Sequence, residues 1–327
     1  MQDKKKIWID VANAPHVKFA EFLASEFGEG KVFITSRDHS NNIKLLKKSG
    51  LNYSISGKHW GKSSISKIFG LLHRAFTLFM LLKDKDIKVG FSQSSFYSPL
   101  VCKLLGIKCI YTNDNEYALG NIIADIFSDV VIYPNSKKFP KYKFLLMGKC
   151  EKYEGIKEAI YCKKIELVSL EKKEWYFRPQ MTDALYHDEV NNDILLQKYI
   201  KFAKELGKKI ICLPRNNNQK NNYLKLQCNN FSVSDRPLTL HEIAPSCELF
   251  LGAGGTMTRE LACLNIPTIS FFQEKKLYVD KLLQKAGLLI YDDDLKDIKA
   301  FINNKKKFVE VESDLDLKIL KNLKHYL

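Results

Sequence analysis

The sequence predicts an α/β protein made of two halves, each with a mainly parallel sheet. Segments with strand-like alternation are followed by segments with helical periodicity along most of the chain, which is typical of βαβ units. The chain has 327 residues and is 45% hydrophobic, which suffices for one large core or two ordinary ones. Length and alternation together predict two domains.

The individual elements follow this alternation. In the first half we predict strands at 6–11, 32–35, 88–92, 108–112 and 129–133, with helices at 17–27, 42–48 and 98–105 and from about residue 116. A less regular stretch covers 137–186. In the second half we predict strands at 209–213, 231–234, 249–251, 268–272 and 288–291, with helices at 194–206, 256–264 and 277–286.

The irregular stretch contains the predicted domain boundary. We divide the chain into an N-terminal domain at 1–158 and a C-terminal domain at 159–327. Two placements stay open for the last helix, from about residue 315: in the C-terminal domain, or packed back on the N-terminal one.

Charge and cysteine usage restrict the class of protein. The formal net charge is +15, which favours anionic partners, but the lysines are scattered and no pattern typical of a nucleic-acid-binding domain occurs. Nucleic acid is therefore not expected as a partner. None of the eight cysteines forms a CxxC pair, and most lie in apolar runs. This predicts reduced core thiols in a cytoplasmic protein, without a zinc site or disulfides.

The most apolar segment is SISKIFGLLHRAFTLFMLL at 64–82, with His73 and Arg74 near its centre. It is too short and too interrupted to span a bilayer. Two interpretations stay open. The segment is either a helix buried in the first domain, or a basic apolar helix that touches a membrane surface. The second interpretation would place the protein peripherally at the inner face of the cytoplasmic membrane. No secretion signal is recognised at the start of the sequence.

The most informative motif is GAGGTMTRE at 252–260, which follows a short buried strand. Gly252, Gly254 and Gly255 allow the backbone to approach a ligand closely, and Thr256 is a suitable N-cap for the following helix. A helix N-terminus at the carboxyl edge of a parallel sheet is a phosphate site. The alternative is a tight turn that serves packing and binds nothing.

Two charged residues follow in the first turns of that helix. Glu260 is placed to accept hydrogen bonds from ribose hydroxyls, whereas Arg259 faces either the phosphates or solvent. No GK[ST] follows the glycines, so the motif is not a Walker loop, and it is not the GxGxxG of a dinucleotide fold.

Here the sequence resembles a known family. The segment GAGGTMTRELACLNIPTISFFQ at 252–273 resembles the nucleotide-sugar site of GT-B glycosyltransferases and their relatives, and the chain as a whole resembles the GT-B-like DUF354 family. The marks of that family are WIDVANAPHV at 8–17, TSRDHSNN at 35–42, GKHWGK at 57–62, TNDNEYA at 112–118, YEGIKEAIY at 153–161 and LPR at 213–215. The resemblance implies two Rossmann-like domains that face each other across a cleft, and an enzyme that uses a nucleotide-sugar.

The resemblance also implies roles for particular residues of the second domain. The turn Gly254–Thr256 would hold the diphosphate, Glu260 the ribose and Gln273 the sugar. Arg215 follows the strand IICLP and resembles the diphosphate-binding Arg or Lys that many GT-B enzymes have there; a guanidinium matches phosphate oxygens well. No DxD pair is placed to hold a divalent ion, so neither an essential metal nor another cofactor is expected.

In the first domain, candidate catalytic residues follow two predicted strands. Asp10, Asn13 and His16 follow the first strand, and in several GT-B enzymes a base on this loop deprotonates the acceptor hydroxyl. Asp10 and His16 are the candidates for that base, although Asp10 also suits a structural hydrogen bond and His16 the first turn of a helix. Asn13 is a candidate acceptor contact.

A polar cluster follows the strand at 108–112. Asp114 and Glu116 are candidates for proton transfer, because sugar 2-epimerases of this fold carry an acidic residue at a similar place; the glycine and arginine that follow it there are missing here. Alternatively, Asp114 or Asn115 caps the next helix. Ser94 is a candidate lining residue of the acceptor cleft, and His59, flanked by glycines, is a candidate residue of a mobile lid.

Two enzymatic functions are compatible with these residues. One is a glycosyltransferase that transfers a sugar from a nucleotide-sugar, with UDP as the expected nucleotide, to a cell-surface glycan or lipid-linked acceptor. The other is a UDP-sugar 2-epimerase, in which Asp114 or Glu116 would move the proton at C2 and no acceptor is needed.

Overall fold

The computed structural model describes residues 6–38, 40–58, 64–135, 148–163, 165, 173–180, 186–272, 276–291, 298–303 and 309–327. The contacts divide the chain into two compact units. Unit 1 comprises Met1–Lys157 and Ser313–Leu327, and unit 2 comprises Glu158–Glu312.

In the described part of unit 1, a parallel sheet has the strand order β3-β2-β1-β4-β5-β6-β7. Its strands are β1 (Ile7–Val11), β2 (Val32–Asp38), β3 (Tyr53–Lys58), β4 (Val89–Gln93), β5 (Lys108–Thr112), β6 (Val130–Pro134) and β7 (Lys149–Tyr153). Its helices are α1 (His16–Phe27), α2 (Ser40–Ser49), α3 (Ser64–Leu82), α4 (Ser98–Leu105), α5 (Asn121–Phe127) and the last helix of the chain, α13 (Leu315–Tyr326). The order reverses between β1 and β4, which is where doubly wound sheets bind their ligands.

Unit 2 has a second parallel sheet, with the order β10-β9-β8-β11-β12-β13 in its described residues. The strands are β8 (Glu174–Arg178), β9 (Lys209–Cys212), β10 (Phe231–Val233), β11 (Cys247–Gly252), β12 (Thr268–Ser270) and β13 (Leu289–Tyr291). The helices are α6 (Ala159–Cys162), α7 (Tyr186–Glu205), α8 (Asn217–Leu224), α9 (Leu240–Ile243), α10 (Gly255–Cys263), α11 (Tyr278–Lys285) and α12 (Ile298–Asn303).

The cores lie where the central strands pack against their helices. Every residue of β1, IWIDV, is buried, as is typical of a strand covered on both faces of a parallel sheet. Trp8 in unit 1 and Trp175 in unit 2 are among the largest fully buried side chains. All strands of each sheet run in one direction, so their carboxyl ends meet at one edge, and the candidate residues follow those ends.

The prediction of an irregular stretch at 137–186 is wrong in part, because this stretch contains β7 and β8. The sequence of β7, KCEKY, has half-exposed charged residues because the strand lies at the edge of its sheet, so the usual apolar signal is missing. The strand β3 was also missed. In the structure, unit 2 begins at Glu158, directly after Lys157. The last helix, α13, contacts β4, β5 and β6 of unit 1.

The helix predicted from about residue 116 begins only at Asn121, so it is not capped by Asp114. The preceding residues form turns in which side chains bond to nearby backbone. Asn113 Oδ1 accepts from the N–H of Asn115, at 2.8 Å, and Asn115 Oδ1 accepts from the N–H of Tyr117, at 3.0 Å. Asparagine favours such turns over helix because its side chain competes for backbone hydrogen bonds. Over the described residues, no helix has both the length and the apolar character needed to cross a bilayer.

Candidate functional site

The glycine turn of unit 2 connects β11 to α10. The helix begins at Gly255 with Gly254 as its N-cap, one residue earlier than expected, so the prediction that Thr256 is the N-cap is wrong. Gly254 has an extended backbone, with φ −172° and ψ 153°, and Thr256 lies in the first helical turn. The first N–H groups of α10 consequently point away from the helix, where an anion can accept from them.

Arg215 is held against this turn by hydrogen bonds. Its Nε donates to Pro179 O at 2.6 Å, and its Nη2 donates to Ala253 O at 3.2 Å. A Cβ at position 254 would lie 2.4 Å from Arg215 Nη2, so a side chain there would force the guanidinium to move from this place. The sequence prediction for Arg215 and Gly254 therefore corresponds to two groups that the fold brings into contact.

Arg178 is a further cation at this site, and the sequence reasoning missed it. It ends β8, and its carbonyl accepts from the N–H of Ala253 at 3.0 Å. Burial, together with the smaller effect of the charge of Arg178, lowers the pKa of Arg215 to about 9. Burial also lowers the pKa of Arg178, against the opposing attraction of Glu260. The feature of the sequence that could have indicated Arg178 is its position at the end of the apolar run EWYFRP, inside the stretch predicted to be irregular.

We call Arg178, Arg215 and the turn Gly252–Thr256 the anion site. Two half-buried guanidinium groups lie beside a helix N-terminus, and the charge of Arg178 contributes to the lowered pKa of Arg215, so a bound anion would relieve the repulsion between them. A diphosphate fits this chemistry, because arginine forks and backbone N–H groups are common phosphate donors.

Arg259 lies among acidic side chains inside unit 2. It is buried, its Nε donates to Asp280 Oδ1 at 2.6 Å, and its Nη1 lies 3.6 Å from Glu158 Oε1, so it is not solvated. A Cβ at position 255 would lie 3.2 Å from Arg259 Nη2. Arg259 therefore supports the turn from beneath while paired with two carboxylates, and direct contact with phosphate stays a prediction.

Glu260 is half-buried beside Tyr161. Burial and the nearby Glu260 raise the pKa of Tyr161 well above its ordinary value, and Cys162 Sγ lies 3.7 Å from Glu260 O. Glu260 also attracts Arg178 of the anion site. Its carboxylate is thus close to the turn, and its ribose contact stays a prediction. Gln273, the expected sugar contact, and His59, the expected lid residue, lie outside the described residues.

In unit 1, Asp10 is part of a buried network at the end of β1. Its Oδ1 accepts from Thr35 Oγ1 and Arg74 Nη2, both at 2.7 Å, and its Oδ2 accepts from Ser95 Oγ at 3.0 Å. Asp10 is 0% exposed. Because the carboxylate is sealed from solvent and engaged at both oxygens, the contacts fit the structural hydrogen-bonding alternative, and the role of Asp10 as the acceptor base stays a prediction.

His16 begins α1 and is almost fully buried. Its Nδ1 has no hydrogen-bond partner within the described structure. Burial lowers its pKa from 6.5 to about 4; Asp10 and Asp114 act in the opposite direction, whereas Lys157 and Arg37 add to the lowering. His16 is therefore neutral at neutral pH.

Asp114 is buried next to this histidine. It forms an ion pair with Lys157, and its Oδ1 accepts from Gln93 Nε2 at 3.3 Å. Lys157 was not singled out from the sequence, because a lysine before the domain boundary has no local signal; only the fold brings it to Asp114. Glu116 is half-buried on the loop after β5. The catalytic roles of Asp114 and Glu116 stay predictions.

Two other expected contacts lie near these groups. Ser94, directly after β4, has φ 50°, an uncommon conformation for a residue other than glycine, and its Oγ lies 3.5 Å from Asn113 Oδ1. Such strain is found preferentially at functional sites. Asn13 is exposed, and its Oδ1 accepts from Arg37 Nη2 at 2.6 Å. Over the described residues, no group of three His, Cys, Asp or Glu side chains is arranged to hold a metal ion.

The substitution His16→Gln is expected to make the protein less sensitive to acid. Between pH 6.5 and about 4 the unfolded chain binds a proton that buried His16 does not, so stability is complete above pH 6.5 and falls as the pH drops towards 4. The loss is on the order of 3 kcal/mol. Thermal midpoints of both proteins, measured at about pH 7 and about pH 4.5, check this. The control is His325→Gln, at an exposed histidine. The assignment would be contradicted if the thermal midpoint fell by the same amount between the two pH values in all three proteins.

Comparison with known proteins agrees with this architecture. UDP-N-acetylglucosamine 2-epimerase of Methanocaldococcus jannaschii, in complex with UDP-GlcNAc and UDP, superposes with a TM-score of 0.72 at 13% identity, covering 98% of this chain and 99% of the other. The S. aureus MnaA–UDP structure superposes at 0.74 with 12% identity, covering 98% and 96%. The spinosyn forosaminyltransferase SpnP superposes at 0.58 with 11% identity, covering 92% and 91%.

These similarities, with the two parallel sheets, define a GT-B-type fold. The chain belongs to the DUF354 family, described as a protein of unknown function, which matches residues 5–325. A relative from Methanocaldococcus jannaschii, the uncharacterized protein MJ0665, is 28% identical over 334 residues, covering 95% of this chain and 96% of that protein. The expected family and fold class are confirmed.

Proposed function

We propose that this protein is a glycosyltransferase that transfers a sugar from a UDP-linked donor to a glycan or lipid-linked acceptor. The observation that carries the proposal is the anion site, where Arg178 and Arg215 meet the N-terminus of α10. Structures of similar fold are described as complexes with UDP-GlcNAc or UDP, which supports a nucleotide-sugar as the ligand.

In this proposal, the anion site binds the diphosphate and then stabilises the leaving group. As the bond between C1 of the sugar and the phosphate oxygen breaks, UDP takes the electron pair and gains negative charge. Arg178 and Arg215 would receive that charge in a half-buried place, where electrostatic stabilisation is stronger than in water. Glu260 would bind the ribose and Gln273 the sugar. We expect no requirement for a metal ion, so chelator should leave activity unchanged.

His16 is the proposed general base of unit 1. The acceptor oxygen would attack C1 while its proton moves to the imidazole of His16, which is neutral at neutral pH. Asp10, with Arg74, Thr35 and Ser95, would position the loop that carries His16. Ser94 and Asn13 are proposed acceptor contacts.

A UDP-sugar 2-epimerase is the second candidate, and two observations favour it. The UDP-GlcNAc 2-epimerase structures superpose with higher TM-scores, 0.72 against 0.58 for the spinosyn transferase. Moreover, Asp114 and Glu116 lie on one loop after β5, and Asp114 is buried with Lys157 as its counter-ion. In this mechanism a carboxylate would remove the C2 proton and an acid would return it to the other face.

One experiment separates the two candidates. Purified protein is incubated with UDP-, GDP-, CDP- and dTDP-sugars in deuterated buffer without acceptor, and the products are read by NMR and mass spectrometry. Binding or slow hydrolysis of one nucleotide-sugar without deuterium incorporation supports the transferase, and adding acceptors then gives turnover that His16→Gln abolishes. Deuterium at C2 with a new epimer overturns the transferase and supports the epimerase, for which Asp114→Asn and Glu116→Gln are the informative variants.

A further inference from the structure

The helices α3, α4 and α5 pack side by side on one sheet of unit 1, and apolar side chains are exposed on each of them. On α3 the exposed fractions are 54% for Leu72, 61% for Phe76 and 44% for Met80. We call these three residues, with Leu104 of α4 and Ile122 and Ile123 of α5, the α3–α5 face. Exposed apolar patches of this kind mark interaction surfaces in soluble domains.

The spacing on α3 explains how one helix has two apolar sides. Leu72, Phe76 and Met80 are four residues apart, so they lie in one row along the helix. Leu78 and Leu82 are buried on the other side against the sheet. The core of unit 1 therefore does not use the outer row, and neither interpretation of 64–82 from the sequence alone described this division.

The helices of the α3–α5 face carry few acidic residues. The 19, 8 and 7 residues of α3, α4 and α5 include a single acidic residue, Asp125, although the chain has 37 acidic residues in 327. Asp125 is buried and accepts from Tyr133 OH, so it does not contribute to the surface. Beside the apolar residues, the helices expose His73 and Lys103.

We propose that the α3–α5 face binds the surface of an anionic lipid bilayer. Exposed apolar side chains on helices that carry an exposed lysine, Lys103, and no exposed carboxylate fit peripheral membrane contact, in which rings and alkyl chains enter the headgroup region and cations meet anionic lipids. Charge also decides against a second copy of the chain as occupant, because two molecules with a net charge of +15 repel each other, whereas the bilayer attracts each of them.

The inference does not depend on the proposed function, because membrane binding needs no nucleotide-sugar. If a lipid-linked acceptor is used, the face would bring unit 1 to the surface where that acceptor resides. If the protein binds vesicles but not UDP, the proposal for the α3–α5 face holds and only the proposed enzymatic function is overturned. If it binds UDP but not vesicles, the proposal for the face is overturned and the proposed enzymatic function is unaffected.

The test is co-sedimentation of the full-length protein with vesicles of phosphatidylcholine, with and without phosphatidylglycerol. We expect partitioning onto the vesicles that contain phosphatidylglycerol, and about tenfold weaker partitioning for the double variant Phe76→Ser/Met80→Ser, which loses two apolar anchors. The matched control is Leu317→Ser, which removes an apolar side chain of similar exposure, 66%, from α13. It should partition like the native protein.

A second measurement places the contact on the face. In Phe76→Trp, the new indole should be quenched by brominated lipid, whereas in Leu317→Trp it should not. The proposal is overturned if the protein ignores anionic vesicles, or if Phe76→Ser/Met80→Ser partitions like the native protein. It is also overturned if sedimentation velocity shows a dimer that dissociates in Phe76→Ser/Met80→Ser, since the face would then be an interface between copies.

Discussion

Replacing Arg215 by alanine is expected to weaken the binding of UDP by about 100-fold, because the variant loses a guanidinium that is held at the turn of the proposed diphosphate site. Hydrogen bonds between charged groups contribute about 1.5–3 kcal/mol each, and an arginine fork makes up to two of them. The guanidinium is already positioned by Pro179 O and Ala253 O, so little ordering cost opposes binding. Isothermal titration with UDP measures the effect.

Two further variants examine the same site from different directions. Arg178→Ala removes a second cation but also its repulsion of Arg215, so we expect a smaller loss, about tenfold. Gly254→Ala keeps both cations, yet its Cβ would lie 2.4 Å from Arg215 Nη2, so the guanidinium must move and UDP binding should weaken.

The matched control for both arginine variants is Arg236→Ala. Arg236 belongs to the same unit but is exposed and paired with Glu242. Its removal should leave UDP affinity unchanged, and all variants should keep the thermal midpoint close to that of the native protein. Unchanged affinity in Arg215→Ala and Arg178→Ala together would show that the nucleotide does not bind at the anion site.

Replacing Arg74 by methionine is expected to cost about 3–5 kcal/mol of stability, since it leaves the buried carboxylate of Asp10 without its counter-ion. The two side chains are 4% and 0% exposed, and their 2.7 Å contact is part of the network with Thr35 and Ser95. Loss of one partner from such a pair costs more than the pair contributes, because the remaining charge stays desolvated. Urea titration followed by circular dichroism measures the change.

The double variant Asp10→Asn/Arg74→Met is the decisive comparison, because it removes both charges and should recover much of the lost stability. The partly exposed pair Lys18–Glu21, at 2.8 Å, supplies the control: Lys18→Met should change stability by less than about 1 kcal/mol. If Asp10→Asn abolished turnover while stability stayed at the native value, Asp10 would be a catalytic base after all and the structural assignment would be wrong.

The sequence identified the residues whose role follows from local pattern. The glycine turn before α10 and Arg215 after β9 were predicted, because a strand end, a set of glycines and a following helix are consecutive in the chain. Arg178 was missed although it belongs to the same site. Its strand is preceded by charged residues that obscure the apolar run, and its proximity to Arg215 arises from the pairing of β8 with β9.

By itself, the sequence determined the α/β class and the family, and it predicted the glycine turn as a phosphate site, because periodicity and contiguous motifs are local properties of a chain. Only the tertiary structure decided the states of the polar residues in unit 1. It enclosed Asp10 with Arg74, which is 64 positions away, and Asp114 with Lys157, and it buried His16 among them. Burial and the distance to other charges set the protonation of a side chain, and both depend on residues that are remote in the sequence.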